Sequence, residues 1–345
     1  GWNVNVYTFS LQYPSFLFPG KTQYSTEKYT GNLNIKIAVN SINPFNWIKI
    51  GKELKDLNPD LLIIKFWIPF MAPCFGTIAR IAKRNGKTKV ITIIDNIIPH
   101  EKRPGDKLLA NYFVGGIDGF VTMSRKVLED VALFDVKKPR VFSPHPIYDN
   151  FGEPIDKTMA IQQLGLDPSF RYILFFGFIR DYKGLDILLN AMAETKIQLN
   201  KIKLLVAGEF YSDPKSYFDL IQEKGLSEQV IMSNDFIPDS EVSKYFSACD
   251  LVVQPYKSAT QSGVTQIAYH FNKPMVITNV GGLGEFVPQG EVGYVVNADH
   301  NSVAEAILAF FDNNMEELFV ANIKKIKEKY SWRYFLDNLK GLFNL

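Results

Sequence analysis

The chain has 345 residues, of which 46% are hydrophobic and 21% are charged, and its formal net charge is +2. This length is sufficient for two domains with a large core each, and the composition is that of a globular protein, which excludes a low-complexity chain. Two cysteines, Cys74 and Cys249, lie far apart without a Cys-x-x-Cys spacing, so we expect free thiols in a reducing compartment rather than a disulfide-stabilised fold.

The charge is unevenly distributed along the chain. Residues 1–150 contain 20 Lys and Arg residues against 12 Asp and Glu residues, which gives +8, and the remainder carries −6. A basic first half without a recognition helix or a stacking motif favours an acidic lipid surface or a phosphate-bearing acceptor over nucleic acid as partner. No basic region followed by an apolar one marks a secretory signal, so a cytoplasmic protein with peripheral contact on the inner membrane face is expected.

Short apolar runs alternate with amphipathic patterns along the chain, and we interpret the runs as strands. In the first half they are VNVYTF, IKIAV, LLIIKFW, KVITII, GFVTMS and RVFS. In the second half they are YILFFG, IKLLVAG, VIMSN, LVVQPY, PMVIT and GYVV. Amphipathic segments such as NWIKIGKELKDL and SEVSKYFSA separate most of these runs. The pattern therefore predicts an α/β protein with two doubly wound parallel sheets.

One early segment, residues 61–82, is apolar enough to suggest a membrane span. It is interrupted by charged residues and prolines, namely Lys65, Pro69, Pro73 and Arg80. A strand, a proline turn and a helix are therefore favoured over a span.

The proline-rich stretch PHPIYDNFGEPI, residues 144–155, has no periodicity and is predicted to join two domains. We place the domains at residues 1–150 and 151–328, followed by a helix at 329–345 with aromatic residues that dock it. A doubly wound domain usually opens with a strand, a glycine-rich turn and a helix. No such unit precedes GWNVNVYTFS, so the first strand–helix unit of the first domain is expected to be missing.

Two cations, Arg180 and Lys183, follow the strand RYILFFG and precede the helical pattern LDILLNAMAE. The positive end of the helix dipole at a helix start favours negative charge, so two cations there are unfavourable unless an anion shares the site. The alternative is that Arg180 and Lys183 are ordinary surface cations. Residues 260–263 open a helix after LVVQPY, and their amides either hold phosphate oxygens or form a plain N-cap. These segments and the turn at Gly281-Gly282 follow parallel strands, where open α/β sheets bind ligands.

Several ligand motifs are absent from the sequence. The four histidines are scattered, no Asp-x-Asp pair is present, and the glycines at 281–284 lack the dinucleotide-binding spacing. We therefore expect no metal ion and no cofactor. A bound diphosphate would have to be neutralised by protein cations and helix ends.

Four runs of the second half occur in a recognisable order: GFIRDYKGLDILLNA, LLVAGEFY, NDFIPDSEVSKYFSACDLVVQPY and ATQSGVTQIAYHFNKPMVITNVGGLGE. Over roughly residues 170–300 they resemble the carboxyl-terminal domain of family 4 retaining glycosyltransferases. LQYPSFLFPGKTQ, FWIPFMAP and PHEKRPGDKLLANYF are similar to a branch of that family. The resemblance implies a GT-B fold, in which two facing Rossmann-like domains, acceptor-side and donor-side, hold a nucleotide-diphosphate sugar in the cleft between them. It also implies that the final helix, around Trp332, packs back on the first domain.

The resemblance implies roles for individual residues. Arg180 and Lys183 would neutralise the departing diphosphate through charge-assisted hydrogen bonds. Phe236 and Ile237 stand where the family seats the base. The implied donor-binding residues are Gly177, Arg180, Lys183, Glu209, Phe236, Ile237, Thr260, Gln261, Ser262 and Gly263.

The sequence also departs from the family pattern. Many relatives carry two glutamates eight positions apart, and here Ala259 and Ile267 stand at those positions. Many relatives also keep a histidine after the strand that reads VITII, and polar residues follow that strand here. The catalytic candidates are therefore Asp95, Asn96, His100 and Glu101, expected to line the sugar pocket, together with Arg180 and Lys183. A polar loop that caps the next helix is the alternative for the first four.

The predicted reaction transfers a sugar from a nucleotide-diphosphate sugar to a hydroxyl of a saccharide or lipid-linked acceptor, with retention, in polysaccharide or glycolipid synthesis. A sugar-nucleotide epimerase can share the architecture, but it needs carboxylates around the sugar and requires no acceptor. A non-catalytic glycosyltransferase-like binding subunit is the other alternative, favoured by the missing glutamates.

Overall fold

The computed structural model describes residues 2–14, 31–99, 103–259 and 262–343. The chain divides into two compact units. The first unit consists of Gly1–Ser143 together with Asn338–Leu345, and the second consists of Pro144–Asp337. The domain limits expected from the sequence lie near these divisions and remain a prediction.

The first unit contains two parallel sheets. Strands β1 and β2 pair with each other, and β3, β4, β5 and β6 form a four-stranded sheet in that order. Their bounds, with those of the helices, are β1 Asn5–Leu11, β2 Asn34–Asn40, α1 Pro44–Leu57, β3 Leu61–Phe66, α2 Ala72–Ala82, β4 Lys89–Ile94, α3 Asp106–Val114, β5 Gly119–Thr122, α4 Arg125–Ala132 and β6 Arg140–Phe142.

Residues 61–82 form strand β3, a short 3₁₀ turn and helix α2, as the interrupted apolar pattern predicted. The turn begins at Pro69, whose ring fixes the backbone angle that a first helical turn needs. Phe66, at the end of β3, stacks on Phe113 of α3 with ring centroids 4.0 Å apart, and both rings are fully buried. These apolar residues therefore form part of a protein core.

The second unit carries a six-stranded parallel sheet in the order β12-β11-β10-β7-β8-β9. Its strands are β7 Arg171–Phe176, β8 Ile202–Ala207, β9 Val230–Ser233, β10 Leu251–Gln254, β11 Met275–Thr278 and β12 Gly293–Val296. Its helices are α5 Lys157–Gln163, α6 Leu185–Met192, α7 Thr195–Leu199, α8 Lys215–Glu223, α9 Asp239–Ala248, α10 Gly263–His270, α11 His300–Asp312 and α12 Glu316–Ile326. The last helix, α13 (Trp332–Gly341), begins in this unit and ends in the first.

Both faces of the six-stranded sheet are covered. Along β7, Ile173 and Phe175 belong to one hydrophobic cluster, and Tyr172 and Leu174 belong to another. Because successive strand residues point to opposite faces, this alternation shows a sheet buried on both sides. The strand order reverses between β7 and β10, and open α/β sheets bind ligands at such a switch point.

All twelve apolar runs interpreted as strands are strands in the structure, and the pattern of parallel sheets covered by helices is confirmed. The terminal segment predicted to dock by aromatic residues contributes Phe343 to the first unit. Lys89 Nζ lies 6.0 Å from the centroid of that ring. Asn338 Nδ2 donates to Ser143 Oγ at 3.1 Å. This hydrogen bond joins the last residue of the first unit's longer chain segment to the first residue of its carboxyl-terminal segment.

Candidate active site

The segment that follows β7 continues beside the segment that follows β8. Ile179 N donates to Glu209 O at 2.8 Å, and Tyr211 N donates to Ile179 O at 3.1 Å. This close approach requires glycine at 208, where a Cβ would lie 2.1 Å from Gly177 O. The backbone around Arg180 is therefore fixed on one side by the neighbouring strand exit.

The same segment is fixed on its other side by the exit of β10. Asp181–Lys183 forms a 3₁₀ turn, and Gly184 follows with a φ of 68°, so close to Pro255 that a Cβ would lie 1.9 Å from its carbonyl oxygen. Lys257 N donates to Tyr182 O at 2.7 Å, and its Nζ lies 2.7 Å from Asp181 Oδ1. The two strand exits at the switch point are thus joined by backbone contacts and by an ion pair.

Lys183 turns back over the end of β7. Its Nζ lies 3.1 Å from the position that a Cβ on Gly177 would occupy, and 5.5 Å from the centroid of the buried Tyr256 ring. Burial, and then the charge of Arg180, lower the pKa of the Lys183 ammonium to about 8. Among the described residues, no carboxylate lies within ion-pair distance of it. A half-buried ammonium without a counter-charge can bind an anion.

Arg180 is exposed and stacks its guanidinium on Tyr211, at 4.7 Å from the ring centroid. Phe178 meets the same ring edge-on at 4.6 Å, which restricts its orientation. No carboxylate in the described ranges pairs with Arg180 either. The guanidinium therefore keeps its hydrogen-bond donors available beside Lys183.

Helix α10 begins at the exit of β10, as the sequence predicted. Ser262 caps it, because its Oγ accepts from Val264 N at 3.2 Å, and the Tyr256 hydroxyl lies 3.1 Å from the same Oγ. Val264 Cγ2 lies 3.7 Å from the Cβ position of Gly177, which brings the first turn of α10 next to the Lys183 site. Thr260 and Gln261 lie outside the described residues.

The remaining predicted donor contacts lie along the same edge of the sheet. Glu209 follows β8 and is half-buried. Phe236 follows β9, has 59% of its surface exposed, and its ring lies 6.4 Å from that of Phe178. Ile237 is half-buried and packs against a core cluster of the unit. The structure thus brings Gly177, Arg180, Lys183, Glu209, Phe236, Ser262 and Gly263 to the carboxyl ends of neighbouring strands.

Asp95 and Asn96 belong to the first unit, where they follow β4. Asp95 N donates to Phe66 O at 2.9 Å, and its Oδ2 lies 3.3 Å from Lys65 Nζ. Asn96 is half-buried. The other two predicted sugar-pocket residues, His100 and Glu101, lie outside the described residues, and the role of all four stays a prediction.

Three residues of the site were not singled out from the sequence: Tyr211, Tyr256 and Lys257. Each follows a strand of the second unit. The signal that could have found them is their position, because each lies two to four residues beyond the end of β8 or β10. Side chains at such positions reach the ligand-binding edge of an open sheet.

The profile of the family described as "Glycosyl transferases group 1" matches residues 156–328, which is half of the chain and most of the second unit. The chain belongs to this family. Ala259 and Ile267 stand where the sequence resemblance places the two glutamates of many relatives. Ile267 is 5% exposed and packs within the core, so no carboxylate of α10 reaches the site from that position.

The chain is similar to several named glycosyltransferases. A D-inositol 3-phosphate glycosyltransferase of Catenulispora acidiphila is 32% identical over 53% of this chain and 46% of its own length. One from Rhodococcus jostii is 25% identical over 75% of this chain and 54% of its own. The lipopolysaccharide core mannosyltransferase LpsB of Rhizobium meliloti is 30% identical over 47% of this chain and 48% of its own. The chain spans about half the length of these curated relatives.

Solved structures resemble the chain over most of its length. Sucrose-phosphate synthase from Thermosynechococcus elongatus has a TM-score of 0.71 and 17% identity, covering 100% of this chain and 89% of that one. Anabaena HepE, solved in complex with UDP-glucose, has a TM-score of 0.69 and 17% identity, covering 91% and 86%. The GT-B fold that the sequence resemblance implied is confirmed.

Two features are absent from the described ranges. No group of three or more His, Cys, Asp and Glu side chains in them is placed to hold a metal ion. None of the helices described is both long and apolar enough to span a membrane. Metal independence and contact with an anionic membrane remain predictions.

Proposed function

We propose that this protein transfers a sugar from a nucleotide-diphosphate sugar to a hydroxyl of an acceptor, with retention of anomeric configuration. The observation that carries the proposal is the Lys183 ammonium, half-buried beside Gly177 at the switch point of the sheet, with a pKa lowered to about 8. An anionic ligand would supply the counter-charge that no described side chain provides.

A diphosphate fits this position better than a single carboxylate does. Arg180 offers a second cation in the same turn, and Val264 in the first turn of α10 lies next to the same Gly177 position. Two cations and a helix start suit two linked phosphates, because each phosphate meets its own set of donors. The structural similarity to Anabaena HepE, which was solved with UDP-glucose bound, supports a donor of this class.

These groups also suit the chemistry of sugar transfer. Negative charge builds up on the diphosphate as the bond from its oxygen to the anomeric carbon breaks, and fixed cations stabilise that charge most in the transition state. Ala259 and Ile267 stand where the sequence resemblance places the family glutamates, and neither side chain can act as a nucleophile. We therefore favour attack by the acceptor hydroxyl on the face that the diphosphate leaves, with a phosphate oxygen accepting the hydroxyl proton.

The test is Lys183→Ala, assayed for transfer and for donor binding in buffer that contains EDTA. We expect at least a hundredfold lower turnover and weaker binding of nucleoside diphosphate, with an unchanged circular dichroism spectrum. The matched control is Lys215→Ala, since Lys215 is an exposed lysine of the same unit, paired with Asp219 in α8. The donor is chosen by thermal shift with UDP-, GDP- and ADP-sugars, and the anomeric configuration of the product is read by proton NMR.

Full activity of Lys183→Ala would refute the assignment of the site. An inverted product would refute the front-face mechanism while leaving the transferase assignment in place. The alternatives have distinct outcomes as well: an epimerase changes the sugar nucleotide without an acceptor, and a binding subunit binds the donor without converting it.

A further inference from the structure

The turn segment, defined as residues 180–186, carries two carboxylates as well as the two cations of the candidate site. Asp181 stands between Arg180 and Lys183 in the chain, and Asp186 lies in the first turn of α6. The formal charge of the segment is therefore zero. A diphosphate there would be repelled by the carboxylates as much as it is attracted by the cations, unless the carboxylates are neutralised or directed elsewhere.

Both carboxylates are paired with one lysine that follows β10. Lys257 Nζ lies 2.7 Å from Asp181 Oδ1 and 3.1 Å from Asp186 Oδ1. Burial, and then the charges of Asp186 and Asp181, raise the pKa of the Tyr217 hydroxyl, so both carboxylates lie near α8. No carboxylate in the part of the chain that the structure describes lies within ion-pair distance of Lys183, although Asp181 is only two positions away. The carboxylates are thus directed away from the ammonium of the site.

The Lys257 side chain is not required to hold the two strand exits together. The backbone already does so, because Lys257 N donates to Tyr182 O at 2.7 Å and Gly184 lies against Pro255 O. The side chains of the two carboxylates are 83% and 40% exposed, and ion pairs of such exposure contribute little to folding stability. Stability therefore does not explain why two carboxylates share one lysine.

We propose that Lys257 is a positioning residue of the diphosphate site, whose ammonium neutralises the two carboxylates of the turn segment and keeps them away from the two cations. The inference rests on the proposed function, which puts a donor diphosphate at Arg180 and Lys183. Without the Lys257 ammonium, two uncompensated negative charges remain in the segment that binds the diphosphate. They repel the ligand, and the carboxylate of Asp181 becomes free to pair with a cation of the site. Lys257 thus makes the site positively charged without binding the donor itself.

The test compares Lys257→Gln with the wild type by titration calorimetry at pH 7, using UDP-glucose, GDP-mannose and ADP-glucose as probes. For the probe that the wild type binds best, we expect about three- to tenfold weaker binding at low ionic strength and a smaller loss in high salt, because salt screens the repulsion. The matched control is Lys244→Gln, since Lys244 is a lysine of similar exposure in α9, paired with Glu241, and it should bind as the wild type does. Melting temperatures verify that the variants are folded.

Removal of the carboxylates separates this role from a direct contact with the donor. Lys257→Gln combined with Asp181→Asn and Asp186→Asn should regain the affinity of the wild type, because no uncompensated charge remains. Lys257→Gln with Asp181→Asn alone should regain part of it, and this pair of substitutions provides the test if the triple variant does not fold. A lysine that bound the donor, or that only held the turn, would show no such rescue.

The dependence of affinity on pH is a second readout. Free carboxylates beside the Lys183 ammonium favour its charged form, so in Lys257→Gln the loss of affinity with rising pH should begin at a higher pH than in the wild type, and the triple variant should reverse this shift. Unchanged affinity of Lys257→Gln, or a loss that persists in the triple variant, would overturn the inference and leave the proposed function standing. If the wild type binds none of the three probes, or if Lys183→Ala binds them as tightly as the wild type does, both fall.

Discussion

At the scale of single residues, the Lys183 ammonium determines how donor binding depends on pH. Its pKa in the free protein is about 8, below its ordinary value, because burial and then Arg180 disfavour the charged form. Anion binding requires that charged form and raises its pKa again. Donor affinity should therefore be constant below about pH 7 and fall as pH rises through 8, approaching a tenfold loss per pH unit.

The measurement is titration calorimetry with a sugar nucleotide between pH 6.5 and 9, where its bridging diphosphate does not change charge. Lys183→Arg is the control, because a guanidinium stays protonated over the whole range, so its affinity should not vary with pH even if the longer side chain binds more weakly. A flat wild-type profile would show that the ammonium is not the titrating contact. The sequence shows Lys183 between a strand and a helix, and its contact with an anion stays a prediction. Its burial could not be predicted, because it depends on Tyr256, 73 positions away in the chain.

At the scale of secondary-structure elements, the contact between the exits of β7 and β10 depends on Gly184. Its φ is 68°, and a Cβ would lie 1.9 Å from Pro255 O, a backbone atom that cannot move aside cheaply. Gly184→Ala should lower the free energy of unfolding by about 3 kcal/mol or more, measured by chemical denaturation. Gly225→Ala is the matched control: its φ is 67° and nothing lies within 4 Å, so only the backbone cost of about 1–2 kcal/mol should appear. Equal losses of unfolding free energy in the two variants would show that the close approach to Pro255 adds nothing to the cost of the substitution.

The strands themselves were predictable from the sequence, whereas their order was not. Runs such as IKLLVAG and LVVQPY are short, apolar and bounded by turn residues, which is sufficient to predict buried parallel strands. The neighbour of β7 on one side is β8, the next strand in the chain, and on the other it is β10, three strands later. That reversal produces the switch point, and it depends on long-range packing that no local pattern encodes.

At the scale of the whole molecule, each unit has a hydrophobic core of its own. One cluster, which includes Phe66 and Phe113, lies within the first unit, and two clusters cover the faces of the sheet in the second. Alternation of strand and helix patterns in two blocks predicted this division. The exact residues at which the chain passes between units could not be predicted, because α13 is one continuous helical pattern and nothing in it marks Asn338 as the first residue of a new unit.

The two units have separate cores, and the cations of the candidate donor site lie in the second unit. These two features predict how many transitions the full chain shows on heating and which of them a ligand shifts. We expect calorimetry to resolve two transitions, because units with independent cores need not unfold together. A nucleoside diphosphate at a hundred times its Kd should stabilise only the transition of the second unit, by about 2.7 kcal/mol. Lys183→Ala should abolish that shift at the same ligand concentration, whereas Lys215→Ala should retain it. A single transition that moves as a whole with ligand would mean that the units unfold cooperatively, and a shift confined to the first unit would place the anion site in that unit instead.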